Sequence, residues 1–266
     1  MTRLESTMSK VPAVTLGFWL IKILATTLGE TGGDTITMTW LGETTKAANG
    51  YGYLIGTGLL MAPFVVLVIA QIVAKNFHPF LYWATIIGST MLGTTMADFA
   101  DRSLGIGYTG GSALLFVCVL ASLATWYRSE GTISVDTVNT PRVELFYWIT
   151  ITFSQTLGTA LGDWMADDGG FGFLGGALVF TAALAVVAAL HYWTRISKVL
   201  LFWAAFILTR PLGATVGDFF DKPFSHGGLN VSRPLASAII AAVILVLILV
   251  VPQRAGSHPG VSGAKV

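Results

Sequence analysis

The sequence predicts an all-α integral membrane protein: eight transmembrane helices, arranged as four parallel two-helix repeats around a pseudo-fourfold axis along the membrane normal. Three observations predict it. Apolar residues make up 54% of the 266-residue chain and charged residues only 11%, against roughly 25% charged in a soluble domain. Eight apolar segments, at 13–34, 52–74, 79–99, 107–127, 143–164, 172–193, 198–220 and 231–251, approach the about 20 residues that cross about 30 Å of hydrocarbon. One short string also recurs four times, at Leu28 to Asp34, Leu92 to Asp98, Leu157 to Asp163 and Leu212 to Asp218.

The register between copies holds residue by residue. An aromatic pair opens each copy (Phe18-Trp19, Tyr82-Trp83, Tyr147-Trp148, Phe202-Trp203), a glycine follows ten residues after the Trp (Gly29, Gly93, Gly158, Gly213), and an aspartate follows fifteen after it. Repeats fall at about 13–74, 79–127, 143–193 and 198–251, in one transmembrane domain over 1–251. In each, the first helix ends at the Gly/Asp motif, and the second opens at Gly52-Tyr53, Gly107-Tyr108, Gly172-Phe173 or Gly228-Leu229. Repeat one alone has a long connection, which holds Trp40, Glu43 and Lys46. From Pro252 the chain is rich in Gly, Ser, Ala and Pro, which predicts a disordered cytoplasmic tail over 252–266.

Two spans per repeat make every copy enter the membrane in the same direction, so the copies are related by an axis along the normal and not by an inverted two-fold. Both termini then share a side. That side carries Arg3, Lys10, Lys75, Arg128, Arg142, Arg195, Lys198, Arg254 and Lys265, and the other only Lys46, Arg102, Lys222 and Arg233. The positive-inside rule makes the first side cytoplasmic. No removable signal peptide is read at the N-terminus.

Stepping back by fours from each Asp follows one helix face and yields four rows: Lys22, Thr26, Glu30, Asp34; Ile86, Thr90, Thr94, Asp98; Ile151, Gln155, Thr159, Asp163; and Phe206, Arg210, Ala214, Asp218. Polar rows on apolar helices belong against protein or water. Small pairs beside them (Gly29/Gly33, Gly93/Ala97, Gly158/Gly162, Gly213/Gly217) let helix backbones close up. The odd-numbered helices are therefore expected to form an inner ring around a polar path, with the even-numbered ones facing lipid. Trp19, Trp83, Trp148 and Trp203 read as interfacial anchors, and Pro211 as a kink.

Four carboxylates gathered near the axis raise one another's pKa, and a hard cation bound by oxygens relieves that strain. Glu30, Asp34, Asp98, Asp163 and Asp218 are thus candidate metal ligands, and Lys22, Thr26, Thr90, Thr94, Gln155, Thr159 and Arg210 candidate path residues. Asp101, Asp167, Asp168 and Asp221, one turn on, are candidates for an external vestibule. Simpler readings stand beside these: the ring aspartates as helix ends at the headgroups, and Lys22, Glu30 and Arg210 as a structural salt-bridge network.

At the four Gly-x-x-x-(Gly/Ala)-Asp copies the chain resembles a bacterial family of uncharacterised membrane-anchored proteins built from a short repeat of unknown function. The resemblance covers about 14–250 and implies an integral membrane protein. A weaker similarity, at Gly29-Glu30-Thr31-Gly32-Gly33-Asp34-Thr35, is to calcium/manganese cation–proton exchangers.

The function expected is secondary transport, of a divalent, manganese-like cation as an exporter or cation–proton exchanger working through the carboxylate ring. Two alternatives are proton-coupled transport of an anion or small carboxylate by Lys22 and Arg210, and a non-transporting scaffold or sensor. No nucleophile–base pair, phosphate loop or His/Cys metal site is present, so no enzyme and no resident cofactor are expected. The near-neutral net charge of +1 gives no reason to expect nucleic acid. The expected partners are the lipid bilayer, a metal ion and protons.

Overall fold

The computed structural model describes residues 8–257. Eight α-helices run as α1 (Leu16–Asp34), α2 (Tyr51–Val73), α3 (Pro79–Asp98), α4 (Gly107–Glu130), α5 (Pro141–Asp163), α6 (Gly172–Trp193), α7 (Lys198–Asp221) and α8 (Arg233–Val250). Each coincides with one predicted segment to within three residues. Five of them, α2, α4, α6, α7 and α8, are long and apolar enough to cross a membrane. The polar rows lower the hydropathy of the remaining three.

The helices sort into two layers. α1 packs against α3 and α7, and α5 packs against the same two, so the odd-numbered helices close a ring. Outside it, α2 lies on α3, α4 on α5, α6 on α7 and α8 on α1. Each repeat thus clasps the next, and the last helix returns to the first. Burial follows the layers. In the apolar stretches of α2, α4, α6 and α8 no more than 22% of residues are buried, against 61% in α7. Their outward side chains, such as Leu59, Val66, Leu178 and Val246, are large and apolar.

Glycine sets the spacing of the ring, by the same device at all four seams. A Cβ placed on Gly93 would lie 2.9 Å from the carbonyl carbon of Gln155, and one on Gly213 would lie 2.8 Å from that of Thr26. Gly29 meets Thr90 and Gly158 meets Arg210 in the same way. The glycine five residues before the Asp of one helix therefore rests on the residue eight before the Asp of the next. Threonine hydroxyls tie two of these seams: between α1 and α3, Thr90 donates to Ala25 O (3.1 Å) and Thr94 to Gly29 O (3.0 Å), and between α1 and α7, Thr26 donates to Thr209 O (3.1 Å).

Three features depart from the sequence expectation. Repeats one to three run past the Asp into a π-helical turn (Thr35–Trp40, Phe99–Ser103, Trp164–Asp168), whereas α7 continues as α-helix through Pro211 to Asp221. The tryptophans are not interfacial anchors. Trp83, Trp148 and Trp203 are buried, because the aromatic pairs stack on one another inside the ring, and the indoles find partners there: Trp83 Nε1 donates to Gln253 Oε1 (3.1 Å) and Trp203 Nε1 to Ile133 O (2.9 Å). Trp19 is partly buried against the same cluster. The third departure is at the tail. Strand β2 (Ala255–Ser257) pairs antiparallel with β1 (Met8–Pro12), and the rest of the segment expected to be disordered, 258–266, lies outside the described residues.

This strand pair crosses the aromatic end of the ring. Lys10 pins it there, with its ammonium on the Glu144 carboxylate and on Gln71 O at 3.0 Å.

Candidate functional site

The inner faces of α1, α3, α5 and α7 stack in layers one helical turn apart. The uppermost holds Asp34, Asp98, Asp163 and Asp218, all buried, and two basic side chains divide it into pairs. Arg102 reaches Asp98 (Nε–Oδ1, 2.8 Å) and Asp163 (Nη2–Oδ2, 3.2 Å). Lys222 Nζ lies 2.8 Å from both Asp34 Oδ2 and Asp218 Oδ1, and 4.0 Å from Asp221 Oδ1. Arg233 stands 3.7 Å from Asp34 and from Asp221.

Burial favours loss of the proton from Lys222 and Arg102. The carboxylates outweigh it, those of Asp218, Asp34 and Asp221 at Lys222 and those of Asp98 and Asp163 at Arg102, so both hold their protons well above the ordinary range.

The sequence places these three cations in the loops. Two were within reach of it: the rows of four, extended one turn beyond the Asp, read Met38, Arg102, Asp167 and Lys222. Arg233 has no counterpart in the other repeats and no such signal.

One turn down lie Glu30, Thr94, Thr159 and Ala214. The guanidinium of Arg210, which starts from the layer below and is fully buried, rises into this one. It donates to Glu30 Oε2 (2.9 Å), to Thr94 Oγ1 (2.6 Å) and to Thr159 Oγ1. One cation therefore joins all four inner helices. Such a pair contributes little net stability, yet removing one partner costs about 3–5 kcal/mol because the other charge stays buried. The ion pair offered by the structural reading of Glu30 and Arg210 is present. It does not include Lys22.

The next layer, Thr26, Thr90, Gln155 and Arg210, is mixed. Thr26 and Thr90 bond to backbone carbonyls as above, but the side-chain amide of Gln155 is fully buried with neither polar atom partnered among the described residues. Lys22 follows, in a layer with Ile86, Ile151 and Phe206. Its ammonium is buried, lies 4.2 Å from the Phe206 ring centroid and has no hydrogen-bond partner among the described residues. A desolvated cation–π contact contributes about 2 kcal/mol, less than the several kcal/mol needed to take a lysine charge out of water.

Below that the path is shut. Phe18, Tyr82, Tyr147 and Phe202, at the next step of four, are all buried, and the Tyr82 and Tyr147 hydroxyls share a hydrogen bond of 2.6 Å.

The other end is open. A cavity of about 770 Å³ reaches Asp163, Asp218, Asp221, Lys222, Arg102 and Asp167 from outside. The carboxylates of Glu30, Asp163 and Asp218 each bring an oxygen within 4.8 Å of the others, and Asp34, Asp218 and Asp221 do the same; Asp163, Asp218 and Asp221 of these line the cavity. Oxygen-only donor sets of this kind suit hard cations.

Of the four vestibule candidates, Asp167 and Asp221 line this cavity. Asp168 is exposed and lines none of it. Asp101 is buried away from the cavity, against Gly111 of α4, because the π-helical turn swings it outward between layers. Neither of its oxygens has a hydrogen-bond partner among the described residues. Burial pushes its pKa up to about 6, with Arg102 pulling the other way.

No curated protein and no solved structure gives a significant match to the chain, and no comparison brings out the cation–proton exchangers. A family model does match, in four copies over residues 17–77, 81–132, 146–197 and 201–254, in step with the repeats described above. The chain belongs to the family built from the repeat of unknown function DUF347.

Proposed function

We propose that the protein is a secondary transporter of a small inorganic cation, divalent and manganese-like, acting as an exporter or cation–proton exchanger. One observation carries this reading: Glu30, Asp163 and Asp218, from three different inner helices, bring buried carboxylate oxygens within 4.8 Å of one another, and Asp163 and Asp218 line a cavity open at that end. In this mechanism Arg210, Arg102 and Lys222 hold the carboxylates while no substrate is bound. An incoming cation competes with them for the same oxygens, and protons compensate charge as it leaves. The aromatic layer is the gate on the far side.

The proposed architecture is eight spans in four repeats around an axis along the membrane normal, in a bacterial inner membrane. α1, α3 and α5 have 19, 20 and 23 residues, about 28–35 Å of helix, enough to cross beside the five more apolar helices. With the aromatic end cytoplasmic, three of the four cations at the opposite end, Arg102, Lys222 and Arg233, belong to the ion-pair network. Only Lys46 there remains as loop charge, which sharpens the positive-inside bias.

The test is manganese flux in proteoliposomes under an imposed pH gradient. Wild type is expected to move the ion, and Glu30→Gln, Asp163→Asn and Asp218→Asn to lose at least about tenfold in rate, the equivalent of about 1.4 kcal/mol at the barrier. Equal flux in the three variants and in wild type would remove the assignment.

A second reading, a non-transporting scaffold or sensor, is favoured by the pairing of each ring carboxylate with a basic side chain. It predicts no flux in wild type, and variants that differ only in stability. Anion transport through Lys22 and Arg210 has less support, since both terminal nitrogens of Arg210 are already engaged.

A further inference from the structure

Between the Arg210 layer and the aromatic plug, three nitrogen donors are buried without a hydrogen-bond partner among the described residues: Lys22 Nζ, the Gln155 amide and Arg210 Nε. Lys22 comes from α1, Gln155 from α5 and Arg210 from α7, and Lys22 and Gln155 are fully buried. Their rows place Gln155 and Arg210 in one layer and Lys22 one turn below it. Whichever way the Gln155 amide is turned, it offers an N–H.

The surroundings supply no carboxylate for Lys22. The Glu30 carboxylate is engaged by Arg210, two turns above, and the ring aspartates lie one turn beyond that. The side chains sharing the layer with Lys22 are Ile86, Ile151 and the Phe206 ring. Buried polar groups in a folded protein find partners, and three donors with one uncompensated positive charge call for an acceptor that is itself negative.

We propose that Lys22, Gln155 and Arg210 Nε form a binding site for a small monovalent inorganic anion of halide size, held in the middle of the inner ring. The large side chains of the Lys22 layer and the aromatic plug below it set the size limit. The anion neutralises Lys22 and braces α1, α5 and α7 against one another. The site lies below the carboxylates that bind the proposed cation, and it stands whether or not those carboxylates transport anything.

The experiment is thermal unfolding of the purified full-length protein in detergent, in sodium chloride or bromide against sodium gluconate at equal ionic strength. A ligand bound only by the folded state raises its melting temperature. The wild type is expected to melt roughly 5 °C higher in saturating halide than in gluconate. Lys22→Met, close in size and uncharged, is expected to lose that difference and to melt above wild type in gluconate, having no bare charge left to bury. Gln155→Leu is expected to reduce the halide response, and Asp34→Asn, outside the site, to keep it.

No halide effect in wild type would overturn the proposal. So would a halide effect as large as that of wild type in both Lys22→Met and Gln155→Leu, which would mark a surface salt effect. Should Lys22→Met not fold, crystals grown in bromide decide: an anomalous peak between Lys22 and Gln155 is expected, and its absence there overturns the site. Loss of manganese flux in the carboxylate variants with the halide response intact separates the two readings.

Discussion

Arg210 is the residue on which the core depends most, since its guanidinium alone reaches Glu30, Thr94 and Thr159. Arg210→Met leaves the Glu30 carboxylate buried without a partner, and is expected to cost about 3–5 kcal/mol in chemical unfolding. Glu30→Leu combined with Arg210→Met removes both charges and should recover most of that loss. An additive double variant would show that the two do not act as a pair. Asp101 belongs to the same scale, with the opposite sign from a salt-bridged acid. Its pKa near 6 stands above that of an unfolded aspartate, about 3.9. The folded state therefore keeps a proton that the unfolded state has released, and this contribution to stability is full below about pH 4 and lost as pH rises through 6. Asp101→Asn should gain on wild type in melting temperature between pH 4 and pH 6 and hold a constant lead above that. A lead independent of pH would contradict the assignment.

At the scale of elements, the ring is a set of four helix seams, and each depends on a glycine that has no room for a side chain. Gly93 faces backbone atoms of Gln155 and Thr156, both 2.9 Å from where an alanine methyl would stand, and backbone cannot step aside as a flexible side chain can. Gly93→Ala is expected to cost about 1–3 kcal/mol. Gly58, on the outer face of α2 with open space around it, should take alanine at no cost or with a gain of up to about 1 kcal/mol. Thermal melts of the two variants side by side check the contrast. These seams were legible in the sequence, because the same small residue at the same offset in four copies has to serve the same approach. The π-helical turns were not legible. No residue type marks where the chain leaves α-helical geometry after Asp34, Asp98 and Asp163. The tryptophans misled for a related reason. An aromatic pair at the end of an apolar span reads as a headgroup anchor, and only the closing of the ring shows that Trp83, Trp148 and Trp203 are buried against Phe18, Tyr82 and Tyr147 of the preceding repeats.

For the whole molecule, the repeat is what makes the layers readable. Counting back by fours from four equivalent aspartates is enough to place Glu30 beside the threonines that share Arg210 with it. The same count carried one turn further finds Arg102 and Lys222, whereas Arg233 enters from outside the repeat. Length and hydropathy pick out five crossing helices, because the polar rows of α1, α3 and α5, buried inside the ring, lower their hydropathy. The resulting molecule is an apolar shell around a charged column, open at the carboxylate end and shut at the aromatic end. Its proposed work is to exchange a cation for the basic side chains that hold those carboxylates. The most direct measurement is an anomalous-scattering map of crystals grown in saturating manganese. The expected result is an ion bound by oxygens of Glu30, Asp163 and Asp218, at about 2.2 Å as for a hard divalent cation, with Arg102 and Lys222 displaced. Carboxylates still bound to Arg210, Arg102 and Lys222, with no ion among them, would contradict it.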